Sequence, residues 1–216
     1  QEGPPVAAWL NSIGISAAVL EYTVSEGDVI FPQPQQQALY ALRWLRANSK
    51  ELNIDPNQIG VIGFSAGGHL AACLSQGFDR NEWLLDPDHT LADISARPDA
   101  SILSYPVISS GDLGHQGSFD NLLGKASDTT QREAMSWEKH AHPNSPPTFL
   151  WHTAEDAVVP VENSYLMAMA LQQHSTPHEL HVFPKGEHGL GLCSIDLRRQ
   201  AGAAQWRPLA ERWLLE

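Results

Sequence analysis

Cysteine is scarce in this chain: two in 216 residues, Cys73 and Cys193. That excludes the disulfide framework on which small secreted folds rely, and both read as free thiols. Basic residues are also short, 13 Lys and Arg against 25 Asp and Glu, for a formal net charge of −12. A sequence-independent grip on nucleic acid or anionic lipid needs basic patches, so neither partner is expected, and a neutral small molecule fits better. No apolar run approaches the roughly 18–20 residues of a membrane span, and no secretory leader is read in these residues, although one could have been lost with the N-terminus; the cytoplasm is the default expectation. There is no internal repeat. His140 and His142, with His152 and His174, match no three-ligand zinc pattern with a nearby acid, and Gly186, Gly189 and Gly191 lack the strand-to-helix setting of a nucleotide loop. Neither metal nor cofactor is expected.

What the chain does have is 42% hydrophobic residues over a length that fits one domain, residues 1–216, with a single core. Apolar and helical patterns alternate as a mostly parallel α/β sheet flanked by helices requires. Val6 to Leu10 reads as helix, Ile15 to Tyr22 as a buried strand, and Ala38, Ala41, Leu42 and Leu45 as one face of a helix ending near Asn48. Strands follow at Ile59–Phe64, Ala100–Tyr105, Thr148–Leu150 and His181–Phe183. Leu166, Met169, Ala170 and Gln173 mark a helix after Pro160, and Leu209, Trp213 and Leu214 a terminal one. Residues 107–147 read as irregular, with a short helix around Gln131 to Trp137. They form a partial lid or pocket wall on one reading and an ordinary loop on the other. Trp9, Trp44 and Trp213 are core or helix-docking candidates, whereas Trp137 and Trp151 are expected near the pocket as substrate-binding faces.

The strongest local pattern is Gly63-Phe64-Ser65-Ala66-Gly67, set between an apolar strand and a helical stretch. A serine on such a turn is lifted off the sheet with strained φ, glycines on either side relieve the crowding, and the Ala66 N–H at the helix start is a ready oxyanion donor. Asp156 follows the Thr148–Leu150 strand, and His188 lies in the glycine-flanked loop after the last. The order Ser65, Asp156, His188 fits a nucleophile, acid and base in that sequence. Glu155 is the adjacent competitor for the acid. His69 reads as a packing residue rather than a base.

Gly63 to Leu70, Pro146 to Thr153 and His181 to Leu192 resemble the bacterial α/β-hydrolase esterases of the acetyl-xylan-esterase-like, xylanase-B-like group, along nearly the whole chain from Gly3 to Leu192. The resemblance implies an α/β-hydrolase fold and a serine carboxylic-ester hydrolase acting on short acyl esters, acetylated carbohydrates among them. Two rivals stay open. One is amide or peptide hydrolysis on the same triad, as in arylformamidases or prolyl-oligopeptidase-like enzymes; the other is a weakly active or non-catalytic protein of the same fold.

The chain departs from that group in two places. The glycine-rich loop that gives such esterases a second oxyanion N–H would stand just before Gln1, so the expectation is an N-terminally short chain without the first three strands of the family. Exposed sheet edges are then expected to favour a homo-oligomer. The second departure is Pro34-Gln35-Gln36-Gln37-Ala38, where relatives tend to carry Pro-x-x-Asp-Ala; any ion pair made by that aspartate is expected to be lost.

Overall fold

Four short strands, β1 (Val61–Phe64), β2 (Ser101–Ser104), β3 (Thr148–Thr153) and β4 (His178–Phe183), form one sheet in the order β1-β2-β3-β4, every neighbour parallel. They belong to a computed structural model that describes residues 2–25, 27–83, 90–193 and 202–216; Gln1 lies outside these. Parallel neighbours need crossovers, and helices supply them: α4 (Ala66–Gln76) follows β1, and α7 (Glu162–Gln173) leads from β3 to β4. Helices α1 (Gly3–Ser12), α2 (Gln33–Ala47) and α3 (Ser49–Leu52) precede the sheet, and a helix at Trp206–Leu215 ends the chain.

Strand periodicity sorts the core into two layers. Leu103 and Leu150 face one side with Leu39 and Leu42 of α2, Leu70 and Leu74 of α4, and Met167 and Leu171 of α7. Phe64, Ile102, Phe149 and Trp151 face the other, against Val6, Trp9 and Leu10 of α1 and Trp206 and Ala210 of the C-terminal helix. Trp151 stacks flat on Trp206, ring centroids 4.9 Å apart and planes 10° from parallel. Such an aromatic pair adds about 0.5–1.5 kcal/mol beyond the area it buries.

Several expectations fail, each for a physical reason. Ile15 to Tyr22 forms no strand: Ala17 to Glu21 are exposed, and β1 pairs only with β2, so among the described residues no ladder lies beside that run. Apolar β-propensity without a neighbour to take its backbone groups does not make a strand. Trp44 is 43% exposed on the outer face of α2, and on α7 the buried face is Met167, Ala170 and Leu171 while Met169 points to solvent. Gln37 stands where the aspartate was expected, and its carboxamide bonds Thr23 twice, accepting from the backbone N at 2.8 Å and donating to Oγ1 at 2.9 Å. A neutral pair there ties α2 to the coil before it.

Residues 107–147 are more ordered than the sequence implies. They hold α5 (Gln116–Leu123), α6 (Thr129–Glu133, closed by an Asp128–Gln131 capping box) and a turn of 3-10 helix at Trp137–Lys139. Val107, Ile108, Phe119, Met135 and Trp137 are buried in the main core. His69 of α4 clamps this segment. Trp137 Nε1 donates to its Nε2 at 3.2 Å, so its Nδ1–H donates to the Val107 carbonyl at 3.2 Å. A second proton on Nε2 would face the indole N–H. Burial pushes the His69 pKa down to about 4 from 6.5, outweighing the opposing bond to Val107.

Between pH 6.5 and about 4 the unfolded chain therefore takes up a proton at this site that the folded chain refuses. Stability is expected to be undiminished by His69 above pH 6.5 and to fall by up to about 3 kcal/mol as pH drops toward 4. His69→Gln, which keeps both bonds but does not titrate, should flatten that part of the slope. Urea midpoints at pH 7 and 4.5 test this; identical falls in both chains would contradict it.

Candidate active site

Ser65 sits between β1 and α4 with φ 54° and ψ −118°, a conformation that costs an L-residue on the order of 1–3 kcal/mol. The surroundings hold it there. Ser65 N donates to the Ser104 carbonyl at 3.0 Å, and the Ser65 carbonyl accepts from Val107 N at 3.2 Å and His69 N at 3.1 Å. A Cβ on Gly63 would lie 2.0 Å from the Gly67 carbonyl oxygen, and one on Gly68 would lie 2.8 Å from Pro106 Cβ. Gly67 would meet only Tyr22 Oη at 3.6 Å, an ordinary contact. The turn thus requires Gly63 and Gly68, not the Gly63–Gly67 pair that the pentapeptide pattern implies. Ala66 is exposed as the first residue of α4, where its N–H has no intrahelical acceptor and the helix dipole is positive.

The acid comes from the end of β3. Asp156 Oδ1 accepts from the backbone N–H groups of Val158 and Val159, both at 2.9 Å, while Oδ2 accepts from His188 Nδ1 at 2.6 Å. The carboxyl is 1% exposed. Burial alone would raise its pKa; hydrogen bonds from His152, His188, Val159 and Val158 overcome that and hold it well below the ordinary carboxylate range. Glu155 points outward to Lys185 Nζ at 3.0 Å, so Asp156 and not Glu155 is the carboxylate bonded to His188.

His188 lies in the loop after β4. That loop starts at Gly186, φ +146°, where a Cβ would come 2.8 Å from Thr153 Cγ2, and Thr153 Oγ1 donates to the Gly186 carbonyl at 2.9 Å. Tyr105, the residue after β2, steadies it: its ring meets the imidazole edge to face with centroids 5.1 Å apart, and its hydroxyl accepts from Gly191 N at 2.8 Å while donating to Glu2 Oε1 at 3.0 Å. A carboxylate only accepts, so Nδ1 carries the His188 proton and Nε2 is free to accept from the Ser65 hydroxyl, 2.7 Å away. Three strand ends thus bring Ser65, His188 and Asp156 into one hydrogen-bonded line, the arrangement that lets a hydroxyl lose its proton as it attacks a carbonyl.

Trp137 and Trp151 are corrections. Both are fully buried: Trp151 Nε1 donates to Ser104 Oγ at 2.7 Å under the sheet, and Trp137 packs on His69 and Trp83. Neither offers a face to a ligand. A cavity of about 190 Å³ opens instead beside Ala66, lined among others by Tyr22, Val24, Ile30, Leu70 and Phe119. Among the described residues no group of three or more His, Cys, Asp or Glu side chains converges as a metal site, and no helix is long and apolar enough to cross a membrane.

A model of the BD-FAE family matches residues 5–171. The chain belongs to the BD-FAE family. This BD-FAE chain is 41% identical over 195 residues to endo-1,4-beta-xylanase B of Butyrivibrio fibrisolvens, covering 89% of this chain and 30% of that protein. It is 31% identical over 196 residues to the acetylxylan esterase of Xylanibacter ruminicola, covering 88% of this chain and 38% of the other. It therefore spans about a third of the length of these curated relatives. The crystal structure of the acetyl ester-xyloside bifunctional hydrolase from Caldicellulosiruptor lactoaceticus matches with a TM-score of 0.88 at 48% identity, over 98% of this chain and 75% of that one. The fold is the α/β-hydrolase fold.

Two substitutions test the turn. Gly63→Ala is expected to destabilise the chain by at least about 3 kcal/mol, because backbone rather than a yielding side chain meets the new methyl. Gly67→Ala should be neutral or stabilising by up to about 1 kcal/mol from helix propensity. Urea denaturation decides; equal losses at both positions would refute the assignment of the close contact to Gly63.

Proposed function

We propose that this BD-FAE chain is a serine carboxylic-ester hydrolase in which Ser65 is the nucleophile, His188 the general base and then acid, and Asp156 the group that orients and charges the imidazole. The observation that carries the reading is the continuous line Ser65 Oγ to His188 Nε2 at 2.7 Å and His188 Nδ1 to Asp156 Oδ2 at 2.6 Å. Ser65 attacks the ester carbonyl as Nε2 takes its proton, the carbonyl oxygen gathers charge toward the Ala66 N–H, and His188 returns the proton to the leaving alcohol. Water then repeats the sequence on the acyl-serine.

Short acyl esters fit best. The cavity beside Ala66, at about 190 Å³, is below the roughly 300–1,000 Å³ of pockets that enclose drug-sized ligands. Acetylated carbohydrates are the class supported by the relatives named for acetylxylan and acetyl ester-xyloside hydrolysis. The cytoplasm remains the proposed location, supported by two buried free thiols. Among the described residues β1 pairs on one side only, which supports self-association by strand pairing. Sedimentation velocity over a concentration series is expected to resolve a dimer or larger species; a monomer throughout would refute that part.

Ser65→Ala should abolish both fluorophosphonate labelling and hydrolysis of p-nitrophenyl acetate. His188→Ala should cost at least as much turnover as Asp156→Asn, each on the order of 10⁴-fold, while Glu155→Gln should be mild. Turnover requires the neutral imidazole of His188, which alone can accept the Ser65 proton, and EDTA should leave it unchanged. An aminoacyl-anilide should be cleaved far more slowly than the ester. Labelling that survives Ser65→Ala, or a damaging Glu155→Gln beside a tolerated Asp156→Asn, would overturn the assignment.

A further inference from the structure

His152 is the one polar side chain of β3 that reaches Asp156. On the alternating face of the strand it shares the α7 side with Leu150, and it is fully buried. Its Nε2 lies 3.0 Å from the Val159 carbonyl and 3.3 Å from Asp156 Oδ2, and its Nδ1 lies 2.8 Å from Ser164 Oγ on α7. The Val159 carbonyl and the carboxylate only accept, so Nε2 carries a proton in either charge state of the ring. The Ser164 hydroxyl can serve either state of Nδ1. Both nitrogens are therefore satisfied only in this orientation.

Asp156 Oδ1 is already committed to Val158 N and Val159 N, which leaves Oδ2 as the atom facing His188. The imidazole of His152 spans the same turn: through Nε2 it binds the Val159 carbonyl and Oδ2 together, fixing how the carboxylate plane is rotated. Taking the Ser65–His188–Asp156 reading as given, we propose that His152, locked by Ser164, is a positioning residue for the acid that aims Asp156 Oδ2 at His188 and shares its negative charge.

Taking away the His152 donor leaves Oδ2 held by His188 alone, so the proton between His188 Nδ1 and Oδ2 reports the change directly. The other groups around that pair are Ser65 at Nε2 of His188, Tyr105 against its ring with Glu2 behind, and the outward Glu155–Lys185 pair, none of which is a partner of His152.

The test compares His152→Leu, His152→Gln and Ser164→Ala in the 216-residue chain with p-nitrophenyl acetate. His152→Leu should lower kcat on the order of 10- to 100-fold with KM within about twofold, because a carboxylate that swings mispositions the base. His152→Gln restores a donor and should recover most of kcat; Ser164→Ala, which keeps the ring but unlocks it, should fall between. The low-field proton of His188 Nδ1–H, followed by NMR, should be sharp in the wild type and His152→Gln and broadened or shifted in the other two. Wild-type kcat and resonance in both His152→Leu and Ser164→Ala would overturn the proposal, and Ser164→Ala alone decides it where His152→Leu does not fold. Ser65→Ala run in parallel separates the two readings: turnover surviving there refutes the nucleophile, while the NMR signal still reports on His152.

Discussion

The close approach of the first turn of α4 to the end of β1 is the constraint on which the rest depends. Gly63 has no room for a methyl group because the Gly67 carbonyl folds back over it, and Gly68 has none because Pro106 crosses beneath. Only with those contacts can the chain reverse within two residues and leave Ser65 at positive φ with its hydroxyl outside the sheet. Three hydrogen bonds through the Ser65 backbone then repay the strain, two of them to Ser104, the last residue of β2, and to Val107 in the segment after it. The same contacts that build the turn thereby couple it to the end of β2, where Tyr105 meets the base loop.

The rest of the site answers a single electrostatic problem, an ionised carboxylate placed under the surface. An unpaired buried charge would cost several kcal/mol, and the chain removes that cost with donors rather than a counter-ion. Two backbone N–H groups and two imidazoles surround Asp156, and both imidazoles are anchored at their far nitrogens, one by Ser164 and one by Ser65. A network in which every member is satisfied is rigid, and rigidity at hydrogen-bond distance is what keeps a base within reach of its hydroxyl.

Much of this was legible from residue order. Ser65, Asp156 and His188 each follow an apolar run, and the ends of parallel strands lie side by side, so three strand-end residues had to converge. The strand-versus-coil error at Ile15–Tyr22 came from a run whose apolarity matches a strand but whose pairing partner is a long-range matter no local pattern reports. Trp137 and Trp151 misled for a related reason: segments near a site also need core, and an indole with an N–H partner, His69 or Ser104, is more stable inside. His152 did leave a signal. A polar residue in the six-residue buried run Thr148–Thr153 must be hydrogen-bonded, and an acid four positions on was the nearest candidate.

The reacting groups and the cavity are held by different parts of the fold. Ser65, Asp156 and His188 stand at the ends of β1, β3 and β4, fixed by the ladder and by backbone contacts that tolerate little change. The cavity wall is made from the coil around Tyr22 to Ser25, the first turns of α2 and α4, and α5, tied together by side-chain bonds such as Gln37 to Thr23. Three wall residues, Ala66, His69 and Leu70, belong to the helix that carries the serine turn, and of these His69 points into the core toward Trp137; on the proposed ester-hydrolase reading, substitutions elsewhere in the wall should alter which acyl group fits without disturbing the hydrogen-bonded line. On that reading the reaction is set at the strand ends and selectivity by the coil and helices around the cavity, so family membership constrains the reaction more tightly than the substrate.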